Sequence, residues 1–162
     1  MSDKPSQALS LAEFLPYQLS ITSNAVSNRI AEVYRSQFSL KVTEWRVMAV
    51  LGANGPLTQR DLTELTLMDK VAVNRACKVL EERGLASRKP NTDDGRSHLL
   101  ALTETGWEVH DRIVPLAREM ESRLLEPLDS DERRTFVSLL QRLRGQSEKL
   151  GPAIVTDDCG AE

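Results

Sequence analysis

Between Leu57 and Leu102 the spacing of apolar and polar positions changes period twice, and the rest of the chain sorts around that stretch. Thr58 and Asp61 have the [ST]-x-x-[DE] spacing of a capping box, and Leu57 and Leu62 occupy the two positions of a hydrophobic staple, so a helix is predicted to start there. Leu62 and Leu65 supply its core face. Thr66 to Met68 reads as a short turn, after which Asp69 can cap a second helix, with Met68 and Val73 repeating the staple spacing. At about 100° per residue, Val73, Ala76, Cys77 and Leu80 fall on one stripe of this second helix. Val71, Asn74, Arg75 and Lys78 fall on the other side, flanked by Lys70 and Ala72. The helix is expected to end at Arg83-Gly84, since glycine readily takes the left-handed conformation that follows a helix. Period-two segments follow at Leu85 to Lys89 and Ser97 to Leu102, and the residues between them, Pro90 to Arg96, are turn formers; the pattern predicts a hairpin.

The flanks are helical. Residues 1–10 are polar and read as a mobile arm. Leu11 to Phe38 carries an apolar stripe of Leu19, Val26, Ile30 and Val33, with Pro16 either kinking an early helix or sitting in the first turn of the main one. Thr43 is the expected cap of a helix from Glu44 to about Ala53 that is apolar nearly all round and is stopped by Asn54-Gly55-Pro56. Past the hairpin, Thr103 caps a long helix bearing Trp107, Ile113, Val114, Ala117, Met120 and Leu124, bent at Pro115. Asp129 and Glu132 cap a last one, carrying Phe136, Val137, Leu139, Leu140 and Leu143 to about Arg144. Residues 146–162 turn to Gly, Ser, Pro and acids and read as a disordered tail.

The expected fold is therefore mainly α: a winged helix-turn-helix with a two-stranded β wing over 41–102, an N-terminal helix over 11–40, and C-terminal helices over 103–145. The terminal helices carry more apolar surface than one small winged lobe can cover, which predicts a homodimer with these helices interdigitated.

Charge and chemistry refine this picture. The formal net charge is -3, which argues against a protein that coats nucleic acid indiscriminately, yet from Lys70 to Arg96 seven cations face four acids. A basic patch beside a helix whose free face offers Val, Asn and Arg suits a DNA major groove, where thymine methyls take apolar contact, Asn reads adenine and Arg reads guanine. Arg88, Lys89 and Arg96 make the hairpin basic, suited to phosphates or a minor groove. A solvated helix and an edge-blunting hairpin are the bland alternatives.

Two features of the flanks are open. Ser20, Ser23, Asn24, Ser27 and Asn28 run beside the N-terminal apolar stripe and suit either a small-molecule pocket or hydrogen bonds across a dimer seam. Arg46, among apolar neighbours, is either half of a structural ion pair or an anchor for a carboxylate ligand. Nothing in the pattern supports an enzyme, a cofactor or a metal: there is no phosphate-binding glycine loop and no nucleophile elbow, and His98 and His110 stand alone. Cys77 lies on the packed stripe and Cys159 in the polar tail, without metal spacing. With no secretory signal pattern and no apolar run of bilayer length, the expected compartment is the cytoplasm, with no membrane partner.

The runs Leu57-Thr58-Gln59-Arg60-Asp61-Leu62, Asp69 to Arg75, Leu80-Glu81-Glu82-Arg83-Gly84-Leu85, Asp94-Gly95-Arg96 and Leu102-Thr103-Glu104-Thr105-Gly106 resemble the MarR family of bacterial transcriptional regulators. The resemblance covers roughly residues 10 to 145, on the usual tolerance of sequence-read boundaries. It implies a dimer on a pseudo-palindromic operator in double-stranded DNA, with Asp94 positioning Arg96 in the wing. It also implies release by a small effector, often an aromatic carboxylic acid, bound between the DNA-binding lobe and the dimerisation helices. Gly95 departs from the pattern, standing where many members carry a basic residue. The rival readings are a helical dimer that acts as a protein-interaction module and a small-molecule-binding protein, neither touching DNA.

Overall fold

A computed structural model describes residues 9–150 apart from Asp93 and Arg96. Arg96, the tail beyond Leu150 with Cys159, and most of the N-terminal arm thus lie outside the described residues. The elements in order are α1 (Leu15–Phe38), α2 (Val42–Asn54), β1 (Leu57–Thr58), α3 (Gln59–Thr66), α4 (Lys70–Glu82), β2 (Ala86–Pro90), β3 (His98–Leu102), α5 (Glu104–Leu124) and α6 (Ser130–Lys149). Two compact units divide within α5, one ending at Arg118 and the other beginning at Glu119.

In the first unit the core is made of Leu40, Val47, Met48, Leu51, Leu62, Val73, Leu80, Leu100 and Ile113, all essentially buried. The helix-turn-helix starts as its sequence demands. The Thr58 N–H and hydroxyl both donate to Asp61 Oδ2, at 3.0 and 2.6 Å, and the Asp61 N–H donates back to Thr58 Oγ1 at 3.2 Å. Asp69 Oδ1 accepts the Ala72 N–H at 2.8 Å and so satisfies a donor that the first turn of α4 would otherwise leave unpaired. Gly84, with φ 67°, closes the far end of α4.

Several expectations change in detail. Pro16 sits in the first turn of α1, where its missing N–H is harmless. The cap of α2 is Lys41, not Thr43: its backbone N–H donates to Glu44 Oε2 at 2.8 Å, and Glu44 is buried there. The wing sheet has three strands rather than two, in the order β1-β3-β2, because the residues just before α3 pair antiparallel with β3 through Leu57 to Leu100 and Thr58 to Leu99. A two-residue strand has no periodicity to read. Leu65, expected in the core, is exposed, and Leu67 ends α3 in the left-handed region at φ 54°.

The join between wing and α5 explains the Leu-Thr-x-x-Gly run. Thr103 donates its hydroxyl to the Gly84 carbonyl at 2.6 Å and its N–H to the Leu85 carbonyl at 3.1 Å, while its Oγ1 accepts the Gly106 N–H at 3.0 Å. The start of α5 therefore lies so close to the α4–β2 turn that a Cβ at Gly106 would stand 1.9 Å from the Leu85 oxygen. Only glycine fits.

In the second unit Asp129 caps α6 through the N–H groups of Asp131 and Glu132, and Glu132 Oε2 accepts the Asp129 N–H. The helix does not stop near Arg144; it runs on through Gly145 to Lys149, because one glycine costs a helix only about 1 kcal/mol. Phe136, Val137, Leu139, Leu140 and Leu143 are all exposed on it.

Candidate nucleic-acid interface

The surface of interest is built on α4. Its packed stripe is as expected: Val73, Ala76, Cys77 and Leu80 are buried against the core. That fixes the rotation of the helix and turns the other side outward. Val71 is 58% exposed, and Asn74, Arg75 and Lys78 are exposed beside it, with Lys70 at the helix start. Ala72 is half-buried at the edge of this face.

The cations of this region are not equivalent. Lys70, Arg75 and Lys89 have no ion-pair partner among the described residues, whereas Lys78 loosely pairs with Glu82 at 3.7 Å, both largely solvated. Arg83 turns away from the patch altogether, donating to the carbonyls of Phe38 and Ser39 at the end of α1. Arg88 also turns inward, its Nε lying 2.9 and 3.0 Å from the two carboxylate oxygens of Glu81. At the wing tip, Ser97 N–H donates to the Asp94 carbonyl at 3.0 Å and Asn91 Nδ2 donates to Ser97 Oγ at 2.9 Å, closing the turn.

A cavity of about 440 Å³ lies beneath the wing, with Leu62, Cys77 and Leu100 among its apolar lining and Arg88 and His98 among its polar one. Burial pushes the Cys77 thiol up to about 11, so it is a neutral packing group at ordinary pH.

The expected effector residues are not gathered in one place. Ser20, Ser23, Asn24 and Asn28 are exposed along α1 and Ser27 is half-buried. Arg46 is exposed, with no ion-pair partner among the described residues, so neither of its two readings is completed within one chain. The reason is that α2 buries Val47, Met48 and Leu51 on one side and leaves Arg46 on the other, although its apolar residues nearly encircle the helix.

Sequence reasoning missed an aromatic cluster. His110, expected to stand alone at a surface or interface, has a side chain only 14% exposed, with ring centroids 5.6 Å from Trp45 and 5.2 Å from Trp107. Tyr34 lies 5.5 Å from Trp45, and burial raises its hydroxyl above the ordinary tyrosine range. The i, i+3 spacing of Trp107 and His110 was the only signal available for this cluster.

Two capped helices, an outward-facing second helix and a three-stranded wing define a winged helix-turn-helix DNA-binding protein. A sequence model of the MarR family matches residues 38–97. A probable transcriptional regulator from Pseudomonas aeruginosa is similar in structure, 31% identical, with a TM-score of 0.69 over 80% of this chain and 99% of that one. The PcaV transcriptional regulator from Streptomyces coelicolor, solved in complex with its natural ligand, has a TM-score of 0.75 at 26% identity, covering 86% of this chain and 98% of that one. The HTH-type transcriptional repressor NicR of Pseudomonas putida is 27% identical over 104 residues, 64% of this chain and 66% of that protein. The chain belongs to the MarR family and is a transcriptional regulator, not an enzyme. Among the described residues no helix is long and apolar enough to cross a membrane.

Proposed function

We propose that the protein is a homodimeric repressor that binds a pseudo-palindromic operator and leaves it when a small ligand, an aromatic carboxylic acid or a related compound, is bound. The observation that carries this reading is the outward face of α4, where a largely exposed valine stands beside Asn74 and Arg75. Apolar, amide and guanidinium groups on one exposed helix face match the contacts of thymine, adenine and guanine edges. Val71, Ala72, Asn74 and Arg75 would meet base edges, with Lys70, Lys78 and Lys89 on phosphates and Asp94 with Arg96 at the wing tip. Arg88 is committed to Glu81 in the free protein.

Dimerisation is supported by the leucines, valine and phenylalanine left exposed on α6, and by Leu11 and Phe14 just before α1 with Leu15 and Tyr17 in its first turn. Apolar area on this scale calls for a second surface. Repression and ligand release are supported by similarity to a protein named as a repressor and to one solved with its natural ligand. Ser20, Ser23, Asn24, Ser27, Asn28 and Arg46 are exposed or half-exposed in the single chain, as groups that line a site completed by a second copy would be. Ligand binding would act by changing the separation of two recognition helices, which must match half-sites about 34 to 36 Å apart.

A mobility-shift titration against the DNA upstream of the protein's own gene, with and without benzoic and hydroxybenzoic acids, tests this. Retardation that is lost with acid is the expected result. A protein-interaction module would give no salt-dependent shift, and a carrier would bind the acid indifferently to DNA.

A further inference from the structure

The wing is poorly supported where it projects. β3 is the middle strand of the sheet, so β2 is an edge strand, tied to the fold on one side only by its pairing with β3. Ala86 and Leu100 anchor the base of the hairpin in the core, and beneath the rest of it lies the cavity of about 440 Å³. A polar contact crosses from β2 to the recognition helix. Arg88 lies two residues beyond buried Ala86 and so shares its inward face, and Glu81 lies one turn beyond buried Cys77 on the packed side of α4. Their side chains are 40% and 28% exposed, while the helical i,i+3 and i,i+4 pairs of the chain are more than half exposed on both partners. Among the described residues, the other ion pairs lie within one helix.

We propose that Glu81 is a positioning residue: by holding Arg88 it fixes the angle between the wing and α4, and thereby the register in which the wing meets the DNA flanking the bases read by α4. This rests on the DNA-binding reading above. Pairing partly out of water makes the contact more directional than a solvated ion pair, and a single guanidinium aimed at both oxygens sets the distance between helix and strand. Arg88 then acts through the protein, and it is Lys89, pointing the opposite way on the same strand, that is left for phosphate.

The test uses the full chain and its Glu81→Gln, Arg88→Gln and charge-swapped Glu81→Arg/Arg88→Glu variants. Amide hydrogen exchange of residues 86–89 and 98–102 is followed without DNA, and affinity is followed for a duplex selected from a random pool and for the same duplex with substituted flanks, over a salt series. Each single variant is expected to speed wing exchange about tenfold and to cut flank discrimination several-fold. The swap should restore both readouts, and the salt slope of Arg88→Gln should match the parent. A salt slope lower by about one unit in Arg88→Gln, with Glu81→Gln tightening every duplex alike, would overturn the proposal and make Arg88 a phosphate contact. Unchanged exchange in both single variants would overturn it as well. Failure to select any duplex would defeat the DNA-binding reading instead, while the exchange measurement still decided whether the pair holds the wing.

Discussion

The guanidinium of Arg83 donates to the Phe38 carbonyl at 2.8 Å and, with its other amino group, to the neighbouring Ser39 carbonyl at 2.9 Å. These carbonyls are left over at the C-terminal end of α1, where the helix dipole also favours a cation. The end of the recognition helix is thereby fastened to the end of α1. Arg83→Ala should destabilise the protein by about 1 kcal/mol, below the range for buried charged hydrogen bonds because the side chain is exposed. Urea denaturation measures this. Arg83→Lys should recover only part, since an ammonium cannot span both oxygens as a planar fork does.

Gly106→Ala should cost far more. The added methyl meets the Leu85 carbonyl oxygen, a backbone atom already accepting from Thr103 and unable to swing aside. A loss of about 3 kcal/mol, the upper range for overpacking, is expected in thermal or urea unfolding. Gly95→Ala, with open space around its Cβ position, is the control and should change little.

Hydrogen bonds from the Thr58 hydroxyl and N–H hold the Asp61 carboxyl below the usual carboxylate range. The depressed value means that the unfolded chain takes up this proton first as pH falls. The contribution is therefore complete above about pH 4, the ordinary aspartate value, and is lost as pH drops through the lower folded value. Asp61→Asn should be less stable than the parent at pH 7, and the gap should narrow below pH 4. A gap constant from pH 7 to pH 3 would contradict this.

Cys77 should be inert while the protein is folded. With the thiol at about 11 and the side chain buried, alkylation by iodoacetamide should stay slow from pH 7 to 9 and become fast only in denaturant. Rapid alkylation of the native protein at pH 8 would show that the helix opens there.

The parts of this fold legible in the sequence are those set by local chemistry. Thr58 and Asp129 announce their helices because a cap and its acidic partner are three residues apart, Asp69 does so with the Met68 and Val73 staple, and Val73, Ala76, Cys77 and Leu80 fix the rotation of α4 by their spacing alone. Contacts between distant segments left no such trace. The turns of Arg83 away from the patch and of Arg88 toward α4 depend on Phe38 and Glu81, which no spacing rule links to them, so both read in sequence as members of a basic patch. Arg46 misled for the opposite reason: a helix with apolar residues nearly all round suggests full burial, whereas α2 keeps an exposed edge. His110 read as solitary because Trp45, which it packs beside, belongs to a different helix. The effector candidates on α1 were legible as polar residues but not as a site, since in one chain they stand open.

On this reading the outward side of α4 reads base edges. Fluorescence anisotropy of the selected duplex and its single-base variants, with the parent, Arg75→Ala and Lys78→Ala over a salt series, decides this. Arg75→Ala should lose about 1 to 3 kcal/mol of discrimination at one position of each half-site. Lys78→Ala should weaken all sequences alike and lower the salt slope by about one unit. Equal losses on every duplex from both substitutions, or no loss from Arg75→Ala, would contradict the account.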